Sequence, residues 1–209
     1  MDMGPGRGRK RSSSRAVLVE AASELFLENG YASSTIDQIT QRAGVSRNTF
    51  FNYFQAKSDV LWAGLDESTE RLADELASEN AETGVMSALR DSILRTAEGI
   101  SPEQLPLAAT QYEVMGAADE MRASGLPRFM RMATVIERFV TARIDPGGAE
   151  IPPQAIAWSV TAAAVAGAAS WAQAGVNRRS LADYVARAIE PVCSGFDTQI
   201  RVGQGGSPN

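Results

Sequence analysis

Four of the five residues from Phe50 to Phe54 are aromatic: Phe50, Phe51, Tyr53 and Phe54. At about 100° per residue these rings spread around a helix, and no single face buries them all. The segment has to be a short helix that gives some rings to a core and shows others outward. Its surroundings agree. Thr35 followed by Gln38 is a capping box, and Ile36, Ile39, Thr40 and Ala43 form the inner stripe of a helix behind it. Gly44 then makes a sharp turn, and Ser46 is the candidate N-cap of a third helix ending near Phe54. Short helix, glycine turn and a second helix of about eight residues make a helix-turn-helix.

Phe50 and Phe54 are four apart and share a face, the natural core face together with Val45. Arg47 and Phe51 are four apart on another face, and so are Asn48 and Asn52. That outer face offers an arginine fork, two amides and a flat apolar ring. These groups read base edges in DNA: Arg on guanine, Asn on adenine, an apolar group on the thymine methyl. Tyr53 lies between the faces, where its hydroxyl could reach a phosphate. Lys57, at the start of the following helix, could reach another.

The rest of the chain reads as helix as well. Leu18, Ala21, Ala22, Leu25 and Phe26 recur at helical spacing before Gly30, a C-cap glycine. A helix starting at Lys57 is expected to run to about Asn80, with Val60, Leu61, Gly64 and Leu65 inward. Val85, Leu89, Ile93 and Leu94 mark another. Ser101–Pro102 and Leu126–Pro127 each read as a helix start, and 145–148 as a loop. An alanine-rich helix begins at Pro152–Pro153, and Ser180 caps a last helix. No period-2 run bounded by hairpin turns occurs. The expected fold class is all-α, about nine helices, with an N-terminal three-helix head and a C-terminal helical body.

Composition narrows the function. The chain has no histidine and one cysteine. Zinc sites and His-dependent nucleophile machinery are therefore out, and no catalytic constellation, metal site or cofactor motif is visible. Cys193 sits in a helical pattern with Ile189 and Val192 and reads as a small core residue. Residues 1–58 hold eight Lys/Arg against five Asp/Glu, so the head carries +3 and the remainder −8. A basic head on an acidic body points to a polyanion partner at one end. The leader lacks an apolar core and is not a secretory signal. The stretch from Ala155 to Gly175 is long and apolar enough to raise a membrane reading, but it is mostly alanine and glycine; a buried helix with a close-packed partner is expected instead.

The segment "AASELFLENGYASSTIDQITQRAGVSRNTFFNYFQAKSDVL" resembles the TetR family of one-component regulators, over about residues 13–65. The signature is a helix ending in Gly, Thr at a cap, Ile-x-x-Ile, Ala-Gly-Val-Ser and Thr-x-x-x-Tyr-Phe-x-x-Lys. The resemblance implies an all-helical homodimer with a DNA-binding head and a ligand-binding body. It implies phosphate contacts from Thr35, Tyr53 and Lys57, and a base-reading face of Arg47, Asn48, Phe51 and Asn52; Ser46 and Thr49 complete the candidate DNA-binding set. Two departures stand out. Phe51 replaces a common tyrosine and loses its hydroxyl. Ala56 replaces a common Ser or Asn, so a helix cap worth about 1 kcal/mol is missing before Lys57.

The expected divisions are a disordered basic leader at 1–12, the DNA-binding head at 13–56, the ligand-binding and dimerisation body at 57–200, and a tail at 201–209. On the alanine-rich helix, Ala155, Trp158, Ala162, Val165, Ala169 and Ala172 lie near one side, a candidate dimer seam; the alternative is an ordinary buried helix. Tyr112, Met115, Phe129, Met132, Phe139, Trp158 and Trp171 are candidates to line an apolar effector pocket; the alternative is plain core. The expected protein is a cytoplasmic repressor, not an enzyme, released from a palindromic double-stranded DNA operator by a small apolar molecule. A ligand-independent activator or architectural protein, and more distantly an all-helical enzyme, are the alternatives.

Overall fold

The structure is a computed structural model that describes residues 9–100, 110–144, 151–175 and 178–204. Among the described residues it has nine α-helices and no strand, as the all-α expectation requires. They are α1 (Arg9–Asn29), α2 (Ile36–Arg42), α3 (Arg47–Phe51), α4 (Lys57–Leu61), α5 (Ala63–Ser78), α6 (Val85–Glu98), α7 (Ala118–Arg143), α8 (Pro153–Gln173) and α9 (Leu181–Gln204). The chain forms two compact units. The first is Met1–Gly64 with Leu105–Gly125, and the second is Leu65–Gln104 with Leu126–Asn209.

In the first unit, Leu18, Ala22, Leu25 and Phe26 of α1 meet Ile39, Phe50, Phe54, Val60, Leu61 and Ala63 in one buried cluster. Apolar spacing of four and seven residues puts the α1 side chains on one face, so burial selects the helix. Gly30 ends α1 with φ +80°, its amide donating to the Phe26 carbonyl at 3.0 Å. Gly44 takes φ +65° between α2 and α3, where a side chain would be strained.

Met115 and Ala117 complete this same core. The Tyr31 amide donates to the Met115 carbonyl at 2.7 Å, and the Trp62 indole N–H donates to the Ser124 hydroxyl at 2.8 Å. The stretch around Met115 and Ala117 thus contributes to the head's core, which extends beyond residues 13–56. Tyr112 packs against that core too. Neither Tyr112 nor Met115 is therefore in the second unit, where a body pocket was expected.

Several helix boundaries differ from expectation. α1 begins at Arg9, inside the expected leader, and α9 continues to Gln204, into the expected tail. The helix expected from Lys57 to Asn80 is broken at Trp62 (φ −104°, ψ 4°), whose ring packs on the head core while its N–H is tied to Ser124. α7 starts at Ala118 and runs through Pro127. Proline removes the bond that Ala123 O would accept, but Ala123 and Pro127 are both exposed, so water can take that role. The expected helix start at Ser101–Pro102 and the loop at 145–148 lie outside the described residues.

In the second unit α9 buries Leu181, Val185, Ile189 and Cys193, each four residues on from the last, and packs on α8 and α6. Burial pushes the Cys193 thiol up to about 11, with Glu190 adding to it. At neutral pH it is an inert core thiol, as expected. α8 faces inward with Ile156, Ala157, Val160, Thr161, Gly167 and Trp171. A Cβ on Gly167 would stand 2.9 Å from both Tyr184 O and Val185 Cα. Those are backbone atoms of α9, so the close approach of α8 and α9 requires glycine here. Gly167→Ala should lower the thermal midpoint: overpacking costs about 1–3 kcal/mol, which outweighs a helix-propensity gain of about 1 kcal/mol. A midpoint equal to or above that of the native chain, in a calorimetric scan, would contradict this packing.

Candidate nucleic-acid interface

The two caps expected from sequence in the head form. Thr35 accepts from the Gln38 amide (3.2 Å), and the Thr35 amide donates to Gln38 Oε1 (2.8 Å). Ser46 accepts from the Thr49 amide at 3.1 Å, and the two hydroxyls lie 2.9 Å apart. α3 is shorter than expected, five residues, but the Phe54 amide still donates to the Phe50 carbonyl at 2.9 Å, so one further turn follows. Phe50 and Phe54 are buried with ring centroids 5.5 Å apart, whereas Phe51 is 45% exposed. Arg47, Asn48, Phe51 and Asn52 are all exposed, so the turn brings the expected base-reading face together in the open. Tyr53 is half-buried. The hydroxyls of Ser46 and Thr49 are engaged in the cap, so their first role is to set the start of α3.

Lys57 has a role that the sequence did not reveal. Its ammonium donates to the carbonyls of Tyr31 (2.6 Å) and Ser34 (2.7 Å) and sits 4.0 Å from the centre of the Tyr31 ring. Burial holds its pKa below the usual lysine value, against the attraction of Glu120. Two of its three N–H groups thus tie down the turn that leads into α2, leaving one for a phosphate. Burial also pushes the Tyr31 phenol up to about 12. The missing cap at Ala56 is replaced from the other side: Asp59 Oδ2 accepts from the amides of Gln55 and Ala56, each at 2.8 Å. The signal was in the sequence, since an acidic residue three positions after a cap is the reciprocal half of a capping box.

Charge is also arranged differently from a bare count. Arg42 pairs with Glu28 (2.6 Å) and Glu24 (3.6 Å), and Arg15 donates to the Ala63 carbonyl at 3.1 Å. Arg47 Nη1 pairs with Asp37 at 2.9 Å, its guanidinium 5.7 Å from the centre of the Phe51 ring. With Lys57 bound to carbonyls, every cation from Arg15 to Lys57 is engaged within the head.

Of the candidate pocket residues, Trp171 is buried, its N–H donating to the Arg179 carbonyl at 2.9 Å and its ring covered by Arg178. Trp158 is 37% exposed. Phe129, Met132 and Phe139 lie along α7, with Met132 buried and the other two half-buried. Among the described residues no group of His, Cys, Asp and Glu could hold a metal ion.

The Lys57 tie has a measurable consequence. Lys57→Met should lower head stability by about 1–2 kcal/mol, because it removes two charge-assisted hydrogen bonds. It should also make the dependence of DNA affinity on salt shallower by about one unit per half-site. An unchanged melting midpoint would argue against the tie, and an unchanged slope against phosphate contact.

A family model described as bacterial regulatory proteins, tetR family, matches residues 18–63, and one described as the MftR C-terminal domain matches residues 83–197. The putative mycofactocin biosynthesis transcriptional regulator MftR of Mycobacterium tuberculosis is 24% identical over 190 residues, covering 91% of this chain and 94% of that protein. Solved structures share the fold. NalD, the secondary repressor of the MexAB-OprM multidrug efflux pump in Pseudomonas aeruginosa, superposes with a TM-score of 0.54 at 20% identity, over 88% of this chain and 95% of that one. The Thermus thermophilus repressor FadR, in complex with lauroyl-CoA, superposes with a TM-score of 0.53 at 23% identity, over 87% and 94%.

Proposed function

Because the chain belongs to the TetR family of bacterial regulatory proteins, with a C-terminal domain of the MftR type, we propose that it is a repressor whose α3 face reads an operator and whose body takes a small effector that ends repression. It is a DNA-binding transcriptional regulator and not an enzyme. The observation that carries the reading is the exposed set Arg47, Asn48, Phe51 and Asn52 on a capped helix, held there by the burial of Phe50. Thr35 and Tyr53 flank it as phosphate contacts. A regulator of this kind works in the cytoplasm, where the bacterial chromosome is.

The operator is palindromic if the protein is a two-fold homodimer. Support for a dimer comes from α8. Trp158, Ala162, Ala166 and Ala169 are exposed along one side of it, with Ala155, Val165 and Ala172 half-buried beside them. α8 is long and apolar enough to cross a membrane by length and composition, yet only a third of its most apolar stretch is buried within the chain. A second copy covering the small-residue side accounts for that exposure without a membrane. Gly167, by contrast, faces α9 of its own subunit. Ala166→Arg, which leaves Gly167 intact, should place an unpaired charge at the seam and give monomers. Sedimentation of the native chain as a monomer at micromolar concentration would end this proposal.

The effector is an apolar small molecule. FadR, which shares the fold, was solved with lauroyl-CoA, a molecule with a long apolar chain. The residues that fit such a role are Phe129, Met132 and Phe139 on α7. The ligand need only favour the state that does not bind DNA, and about a 100-fold preference, about 2.7 kcal/mol, gives strong release. Operator DNA must then weaken the ligand by the same factor. Ligand affinity measured with and without saturating operator tests this directly. Unequal affinities in that ratio are expected, and equal affinities would mean that the compound bound is not the effector.

A further inference from the structure

We infer that Asp37 is a positioning residue for base recognition: it holds Arg47 so that one edge of the guanidinium is presented to a guanine, and it keeps the same arginine from binding phosphates indiscriminately. The inference rests on the reading that α3 contacts DNA.

Asp37 stands in the first turn of α2, where the helix N-terminus favours a carboxylate. Both of its oxygens lie near one nitrogen of Arg47, Nη1, at 2.9 and 3.2 Å. Nε and Nη2 take no part in the pair. Those two N–H groups, side by side on one edge of the fork, are what a guanine needs for paired bonds to its O6 and N7. Phe51 lies against the same guanidinium at 5.7 Å. The Arg47 backbone is held at the start of α3 by the Ser46 cap. Arg47 is thus restrained by backbone, carboxylate and ring, with the remaining edge open.

Charge adds selectivity. An unpaired arginine at an exposed helix end binds any phosphate it can reach. Paired with Asp37 it is locally neutral, and the carboxylate repels phosphate at the same distance. Guanine is uncharged, so its acceptor pair suffers no such repulsion. The side chains are 59% and 69% exposed, and exposed ion pairs contribute little to folding. Among the described residues the Asp37 side chain makes no other hydrogen bond; the Thr40 hydroxyl bonds to its carbonyl, which substitution leaves in place. The consequence of the pair therefore falls on recognition and not on stability.

The test uses the full chain and duplex DNA selected from a random pool by the native protein. Asp37→Asn should bind random duplex more tightly and lose discrimination: the ratio of selected-site to random affinity should fall about tenfold, with guanine preference flattened at one position per half-site. In an Arg47→Ala background, Asp37→Asn should change nothing at that position, since the pair acts as a unit. Asp37→Glu, which keeps the carboxylate, should recover part of the ratio. The proposal is overturned if Asp37→Asn keeps the native ratio and profile, if Asp37→Asn still alters the profile at that position in the Arg47→Ala background, or if Asp37→Glu is no better than Asp37→Asn. A native protein that selects no sequence at all would instead overturn the DNA-binding reading itself.

Discussion

A five-residue helix does not persist in water by itself, because nucleating the first turn costs more than so few hydrogen bonds return. α3 exists because Phe50 is wholly buried in a core supplied by α1, α2, α4 and the segment around Met115. That burial also decides the rotation of the helix. With Phe50 and Phe54 inside, Phe51 lies about 100° round from Phe50 and must emerge, and Arg47, Asn48 and Asn52 emerge with it. The chemistry of the outer face is a by-product of which ring the core accepts. Ser46 and Gly44 set where the helix starts; the core sets which way it faces.

Around that helix, the head is held together by polar ties to backbone groups that the short helices leave open. Lys57 closes the turn at Tyr31 and Ser34, Asp59 caps α4, and the Tyr31 amide binds Met115. These are bonds from side chains or amides to carbonyls and N–H groups at element ends, where helices have no partners of their own. They join residues 26 and 84 positions apart in the chain: Lys57 with Tyr31, and Tyr31 with Met115. The last explains why the head's core is built from two separate stretches of sequence.

The second unit relies on close approach more than on polar ties. α8 lays Ile156, Val160 and Gly167 toward its own subunit, and Gly167 admits the α9 backbone where any side chain would collide. Its other side is alanine-rich and open. Near α7, Asp66 lies 2.9 Å from Arg131 and 3.4 Å from Arg128, which is itself only 8% exposed. A nearly buried guanidinium is costly without a carboxylate beside it, so Asp66 contributes to holding the inner face of α7.

Local chemistry was legible in the sequence. The capping box at Thr35, the cap at Ser46, the glycines that end α1 and turn between α2 and α3, and the split of Phe50 and Phe54 from Phe51 all follow from residue type and spacing of four or fewer. Those signals depend on neighbours in the chain, and neighbours are what a sequence displays. The membership of Met115 in the head, the break at Trp62, the passage of α7 through Pro127, the inward turn of Lys57 and the pairing of Arg47 with Asp37 were not legible. Each is decided by a partner distant in sequence or by which side of a helix meets solvent: Ser124 for Trp62, the exposed side of α7 for Pro127, two carbonyls for Lys57. A lysine after an aromatic run looks the same whether its ammonium meets a phosphate or a peptide carbonyl. Only the folded chain, by bringing the Tyr31 and Ser34 carbonyls to 2.6 and 2.7 Å from the ammonium, reveals that this charge also ties down the turn before α2.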